Sequence, residues 1–231
     1  MKGRFFTIPV SACLVLLALI LVGTLLGPQL TPFDPNAPSM PETLQTPSAQ
    51  HWLGTDNLGR DQFTRLLYGG RTTLVNALLA VGISVLIGIP FGLLCGYYGG
   101  RLDWIVMRVW DFILCFPALF LAFLFVAAFG RGSVVAVTAI GIVYIPMISK
   151  LTRTLTLTER AKPYVEACRT FGYSDRRIVF GHILPNCVPT LLAELTFDVG
   201  MAIMALASLS FLGLGVKLPQ SDWGAMLQEG V

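Results

Sequence analysis

Charge is what this sequence has little of. Only 13% of its 231 residues are Asp, Glu, Lys or Arg, against roughly 25% in an ordinary soluble domain. That excludes the usual water-soluble shell. With 55% hydrophobic residues and a mean hydropathy of +0.72, the composition points to lipid as the solvent. A formal net charge of +3 is too small and too dispersed for nucleic-acid binding. Histidine is nearly absent, at His51 and His182 only. The five cysteines (Cys13, Cys95, Cys115, Cys168 and Cys187) form no CxxC pair, which removes a disulfide framework and a Cys/His metal site and leaves small apolar residues. No GxxxxGK followed by Ser or Thr occurs, and GLGVKL at 213–218 is a weak echo of it. A phosphate cradle needs backbone N–H groups, a lysine and a magnesium-binding hydroxyl together. HExxH and a Ser-His-Asp arrangement are missing too. The chain reads as a non-catalytic subunit without a cofactor of its own.

What is present is a series of long apolar runs. A bilayer core about 30 Å thick takes about 20 apolar residues of helix. The first run is Ile8–Leu26, behind Lys2 and Arg4. It is about 19 residues long and lacks a small-x-small cleavage site before Pro28, so it reads as an anchor rather than a cleaved signal peptide. Gly27 to about Gly70 is polar and proline-rich, which excludes a long helix. Near its end, Asp61–Leu67 fits a short amphipathic helix with an Asp61–Arg65 pair at i,i+4. The second run is Thr73–Tyr98. Ser84, Gly88, Gly92, Gly96 and Gly100 follow each other at steps of four, a small-xxx-small ladder expected to let another helix approach closely. The third run is Val106–Phe129 with Pro117 inside it, the fourth Ser133–Ile148 with Pro146 near its end, and the fifth Val188–Leu209. The final stretch, SFLGLGVKLPQSDWGAMLQEGV, has no room for a sixth. The expected fold is an all-α integral membrane protein, a polytopic helix bundle with five visible spans. It divides into an N-terminal segment and first span (1–26), an extracytoplasmic segment (27–72) and a core bundle (73–231).

Lys and Arg set the orientation. With the N-terminus in the cytoplasm, the inside segments hold Lys2, Arg4, Arg101, Arg108, Lys150, Arg153, Arg160, Lys162, Arg169, Arg176 and Arg177. The outside holds Arg60, Arg65, Arg71, Arg131 and Lys217. The excess falls on the expected side.

Between the fourth and fifth runs lies EACRTFGYSDRRIVFGHILPN, Glu166 to Asn186. Tyr164–Phe171 fits a short helix, and Gly172 is a natural stop because it tolerates positive φ. Ser174 fits an N-cap, with Asp175 on the favourable side of the next helix's dipole. That second helix is expected to run to Leu184, with Pro185 opening the fifth span. The result is a helix–turn–helix elbow whose apolar residues Val165, Phe171, Ile178, Val179 and Ile183 offer a docking surface.

The spacing of Glu166-Ala167, Gly172 and Leu184-Pro185 resembles the EAA loop of ATP-binding-cassette importer permeases, with Cys168 in place of the second alanine. HWLGTDNLGRD (51–61), GYYGGRLDWIVMRVWD (96–111) and SFLGLGVKLPQSDWGAML (210–227) are similar to inner-membrane permeases of the peptide/nickel importer group, C-type subunit. The resemblance covers nearly the whole chain. It implies a type I importer permease whose loop at about 150–186 couples to an ATPase. The implied partners are a second homologous permease, two ATPase subunits that bind ATP and magnesium, an extracytoplasmic substrate-binding protein and membrane lipid. The implied location is the cytoplasmic membrane of a bacterium or archaeon, and the implied cargo is peptides or nickel and metal chelates. Members usually carry a sixth span after the outward WG segment, whereas this sequence stops at Val231.

Two carboxylates stand inside the fifth run: Glu194 and Asp198, one turn apart on one helix face. Charge within a membrane is costly and usually faces a water-filled path or a partner. They are candidates for lining the translocation route and favouring cationic or amine-bearing cargo, or for pairing with a residue of the partner permease, or for standing protonated. They also leave open an ion-gradient-driven secondary transporter or a membrane-embedded enzyme. Asp111, nearer the end of its run, is expected to pair with Arg108 or the elbow. His51, beside Trp52 in a turn, is expected at the solvent or as a hydrogen-bond donor rather than as a metal ligand.

Overall fold

The computed structural model describes residues 8–230; Lys2 and Arg4, part of the orientation argument, lie outside the described residues. The helices are α1 (Ile8–Leu30), α2 (Gln62–Tyr98), α3 (Gly100–Leu114), α4 (Ala118–Phe129), α5 (Ser133–Arg160), α6 (Pro163–Thr170), α7 (Asp175–Ile178), α8 (Leu184–Phe211) and α9 (Trp223–Glu229). A π turn at Val179–Ile183 joins α7 to α8 without interruption. α1, α2, α5 and the joined α7–α8 are each long and apolar enough to cross a membrane, and the bent pair α3–α4 makes a fifth where its two halves count as one span.

α2 and α5 form the centre of the bundle. Their close approach follows from the small residues on α2. A Cβ on Gly88 would stand 3.0 Å from the Ile145 carbonyl, one on Gly92 2.5 Å from the Ser149 carbonyl, and one on Gly96 2.6 Å from Thr156 Cβ. Ser84, fully buried, continues the row and donates to the Val81 carbonyl. Gly100 does not belong to this row. It has φ +64° and open space around it, and with Gly99 (φ +67°) it turns the chain from α2 into α3. Above the row, Ala77, Ala80, Ala122, Val126, Ala139, Ile140, Ala202 and Leu209 from α2, α4, α5 and α8 close the core.

Four expectations change. The short helix at Asp61–Leu67 and the run from Thr73 are one helix, α2, about 55 Å long at 1.5 Å per residue. Gly69 and Gly70 are not breakers there: a Cβ on Gly70 would lie 2.6 Å from the Trp223 ring, so these glycines admit α9. The Asp61–Arg65 ion pair does not form, because Asp61 caps α2 and Arg65 turns elsewhere. The run Val106–Phe129 is not one straight span. α3 and α4 meet at 88° beside Pro117, which lacks an N–H and takes an extended backbone. α3 has no buried residue and is clipped to α5 by Arg153–Asp103, by Lys150–Asp111 and by Trp110 Nε1 donating to Ser149 Oγ at 2.9 Å. Asp111 therefore pairs with Lys150, not with Arg108, which lies over the Trp104 ring.

Candidate functional site: the elbow and the buried carboxylate

The elbow is built from local rules. Pro163 sits in the first turn of α6, where its missing N–H costs nothing. α6 ends in paired bonds, Gly172 N–H to the Arg169 carbonyl (2.9 Å) and Tyr173 N–H to the Cys168 carbonyl (3.0 Å). This is a Schellman stop, and it needs the positive φ of Gly172, +77°. Ser174 holds the N-cap position of α7 with an extended backbone, but its side chain makes no capping bond.

The elbow is fastened to three other helices. Tyr97, buried at the end of α2, donates its hydroxyl to Asp175 Oδ1 at 2.7 Å. The guanidinium carbons of Arg160 and Arg169 lie 5.8 and 5.4 Å from the centre of its ring. At the end of α5, Glu159 accepts from Lys162 Nζ (2.5 Å) and from the Tyr164 hydroxyl (2.9 Å). Asn186 of α8 in turn donates to that hydroxyl at 3.2 Å. Burial, aided by the adjacent Glu159 carboxylate and opposed by the bond from Asn186, pushes the Tyr164 phenol above its ordinary pKa, so it stays a donor.

The expected docking residues are corrected by this packing. Val165, Ile178, Val179 and Ile183 are buried with Leu93, Tyr97, Cys187 and Leu191 in a core of the elbow itself. Of the five, only Phe171 is presented to the outside, 78% exposed. Glu166 and Ala167 are exposed, Cys168 is half-buried against that core, Leu184 is half-buried and Pro185 is exposed in the first turn of α8. Pro185 does not divide the elbow from the span, since a proline in the first turn of a helix is tolerated and the π turn carries the chain through.

At the opposite end, the 31–61 segment and α9 lock together through buried polar groups. Asp56 binds Arg60 and Arg65, and both arginines also bind Glu229. Burial acts to raise the Asp56 pKa, but the N–H groups of Arg60 and Leu58 and the Arg60 guanidinium outweigh it and hold the carboxyl below the usual range. Asp222 caps α9 at the N–H groups of Gly224 and Ala225 and accepts from Thr73 Oγ1 at 2.8 Å. His51 is not at the solvent. It is 2% exposed, with Nδ1 2.9 Å from Asp61 Oδ1 and its ring beside Phe33. No group of three or more metal-ligating side chains comes together among the described residues.

The two carboxylates of α8 differ. Glu194 is exposed, whereas Asp198 is 3% exposed and its Oδ2 has no hydrogen-bond partner. Sequence reasoning missed Tyr97 as a fastening point. Its only signal is a tyrosine pair at the end of an apolar run, Tyr97 standing four residues before the next charge, Arg101.

A bundle of membrane-length helices, joined by a fastened surface elbow and holding an unpaired acid in its interior, is the build of a transport subunit. A family model described as "Binding-protein-dependent transport system inner membrane component" matches residues 88–231, and the chain belongs to that family. It is an inner-membrane permease component of the ABC importer class, a transporter component and not an enzyme. It is 40% identical over 230 residues to the probable D,D-dipeptide transport system permease protein DdpC of Escherichia coli K12, covering 100% of this chain and 76% of that one. It is 44% identical over 183 residues to the glutathione transport system permease protein GsiD of Pectobacterium atrosepticum, covering 79% of this chain and 61% of that one. With the nickel transport system permease protein NikC of Escherichia coli K12 it shares 34% over 220 residues, covering 95% and 79%.

Proposed function

We propose that this chain and a second homologous permease enclose the path of an importer for short peptides, and that α6 with the Gly172 turn seats in a separate ATPase subunit. One observation carries the coupling reading: the exposed elbow is pinned to α2 by Tyr97–Asp175 and to α5 and α8 by Glu159–Tyr164–Asn186. A push on α6 therefore moves spans rather than a loose loop. Two ATPase subunits hold ATP and magnesium, and an extracytoplasmic binding protein delivers cargo to the face carrying the 31–61 segment. The N-terminus lies in the cytoplasm. Peptides are favoured over nickel because the dipeptide and glutathione relatives stand at 40% and 44% identity and the nickel relative at 34%. Glu194 and Asp198 face the path. The test is mass spectrometry of the complex purified from its own membranes in mild detergent. Two ATPase chains and a second permease are expected with this chain. Recovery of the chain alone or as a homo-oligomer overturns the reading. A cysteine placed by Phe171→Cys is expected to crosslink to the ATPase subunit in the same preparation.

A further inference from the structure

Residues 8–30, 72–100, 118–130, 132–149 and 178–216 contain no Lys or Arg. Glu194 and Asp198 are the only acids in those stretches, and among the described residues no Lys, Arg or His forms an ion pair with either of them. Asp198 is the middle of α8, about 20 Å from either end at 1.5 Å per residue. No hydrogen bond or ion pair satisfies its Oδ2. A buried carboxylate oxygen without a partner is costly to keep, which marks the position as one kept for function rather than for packing.

The surroundings say what kind of group it is suited to. Asp198 is within electrostatic reach of Glu194, one turn away, and of Tyr144 on α5. Around Glu194 the outer face of α8 is uncovered in this chain: Leu192, Phe197, Met201 and Met204 are all exposed. Gly200 leaves open space beside them, since a Cβ there would meet no atom within 4 Å. An exposed acid thus leads to a buried one, with an aromatic ring close by and methionines alongside. Because its own chain already covers Asp198 almost entirely, what reaches it must be narrow. An ammonium group fits that description, and the flank of another helix does not.

We propose that Glu194 and Asp198 form a mid-membrane station for a cationic amine of the cargo, such as the free N-terminus of a short peptide. Glu194 makes the first contact and Asp198 is the anchor. This rests on the reading of the chain as half of an importer path. The carboxylates repel an acylated, uncharged N-terminus only by offering it nothing in exchange for its hydration. The amine instead regains its lost hydration from two acids. A carboxylate held for a passing charge is left unpaired between passages, in keeping with the orphaned Oδ2.

The experiment uses the complete transporter, purified with its partner subunits and reconstituted in proteoliposomes with its binding protein. Uptake of dialanine is compared with uptake of N-acetyl-dialanine. Wild type is expected to prefer the free amine, and Asp198→Asn to cut that preference about tenfold or more, the scale of losing one partner of a buried charge pair. Glu194→Gln is expected to raise KM for the free amine several-fold, and Glu194→Asp to restore part of it. Thermal stability supplies a second readout. Removing an unpaired buried charge is expected to leave the melting temperature of the assembled complex unchanged or raised. A lowered melting temperature or loss of the second permease in Asp198→Asn means that the acid pairs with that subunit, and overturns the proposal. Equal uptake of both peptides by wild type, or an undiminished preference in Asp198→Asn, overturns it as well. If no ATPase subunit accompanies the chain, the importer reading falls first and the station with it.

Discussion

Removing one oxygen atom from Tyr97 tests whether the elbow transmits force. Tyr97→Phe keeps the buried ring and the two guanidinium groups over it and deletes the hydroxyl's bond to Asp175 together with its interaction with Arg169. A hydrogen bond to a charged partner is worth about 1.5–3 kcal/mol. Asp175 is exposed, so water screens the pair and about 1 kcal/mol is the better figure. That shifts the balance between fastened and released elbow about fivefold. The amides of 163–172 are then expected to exchange hydrogen about fivefold faster at equilibrium. In proteoliposomes, ATP hydrolysed per cargo molecule is expected to rise while complexes still assemble. Tyr97→Leu also gives up two cation–π contacts, about 0.5–1 kcal/mol each, and leaves a cavity, so coupling is expected to fall well below that of the Phe variant. A Phe variant with unchanged exchange and unchanged ATP per cargo would refute the fastening argument. So would a Leu variant no worse than the Phe one.

Other perturbations have equally definite outcomes. Gly92→Ala places a Cβ 2.5 Å from a backbone carbonyl of α5, and is expected to cost about 1–3 kcal/mol in a detergent melt. Gly82→Ala on the same helix meets nothing within 4 Å and is expected to be neutral or stabilising by up to about 1 kcal/mol. At Gly172 space is open and only φ is demanding. Gly172→Asn is therefore expected to retain most transport and Gly172→Val to lose coupling, measured as uptake per ATP. The lowered pKa of Asp56 means that its contribution to stability is present above the unfolded carboxylate value of about 4 and is lost as pH falls through the lower folded value. Protease resistance of the 31–61 segment is expected to drop across that acid window, and Asp56→Asn to flatten the dependence.

The spans and the elbow were legible because apolar length and glycine position act locally. Ile8–Leu26, Ser133–Ile148 and the Gly172 stop each follow from a few adjacent residues. What was not legible depends on neighbours distant in sequence. Gly69-Gly70 reads as the end of the polar stretch until Asp222 and Trp223 are packed against it. The apolar side chains of Val165, Ile178, Val179 and Ile183 read as a docking face because a short amphipathic helix does not disclose whether its apolar side meets its own bundle or another chain. Pro117 inside an apolar run does not say whether a span kinks or turns by 88°. His51 reads as a loop residue until Asp61, ten positions on, receives its ring nitrogen.

Asp175 and Asp198 lie on one uninterrupted helix, Asp175–Phe211, about 35 Å apart at 1.5 Å per residue. The first, in the elbow, is bonded to Tyr97 of α2, and the second, in the middle of α8, has one oxygen without a partner. Whatever tilts the elbow therefore also moves Asp198, without any relay of separate contacts. The π turn at Val179–Ile183 is where that rod departs from regular α geometry, and such turns are common at functional positions. Two of its buried residues, Val179 and Ile183, are held in the elbow core at 4% and 0% exposure, so the irregular turn is clamped on the elbow's side. Loosening that clamp by Ile183→Ala is then expected to behave like a coupling variant, wasting ATP, and to leave the free-amine preference set by Asp198 in place.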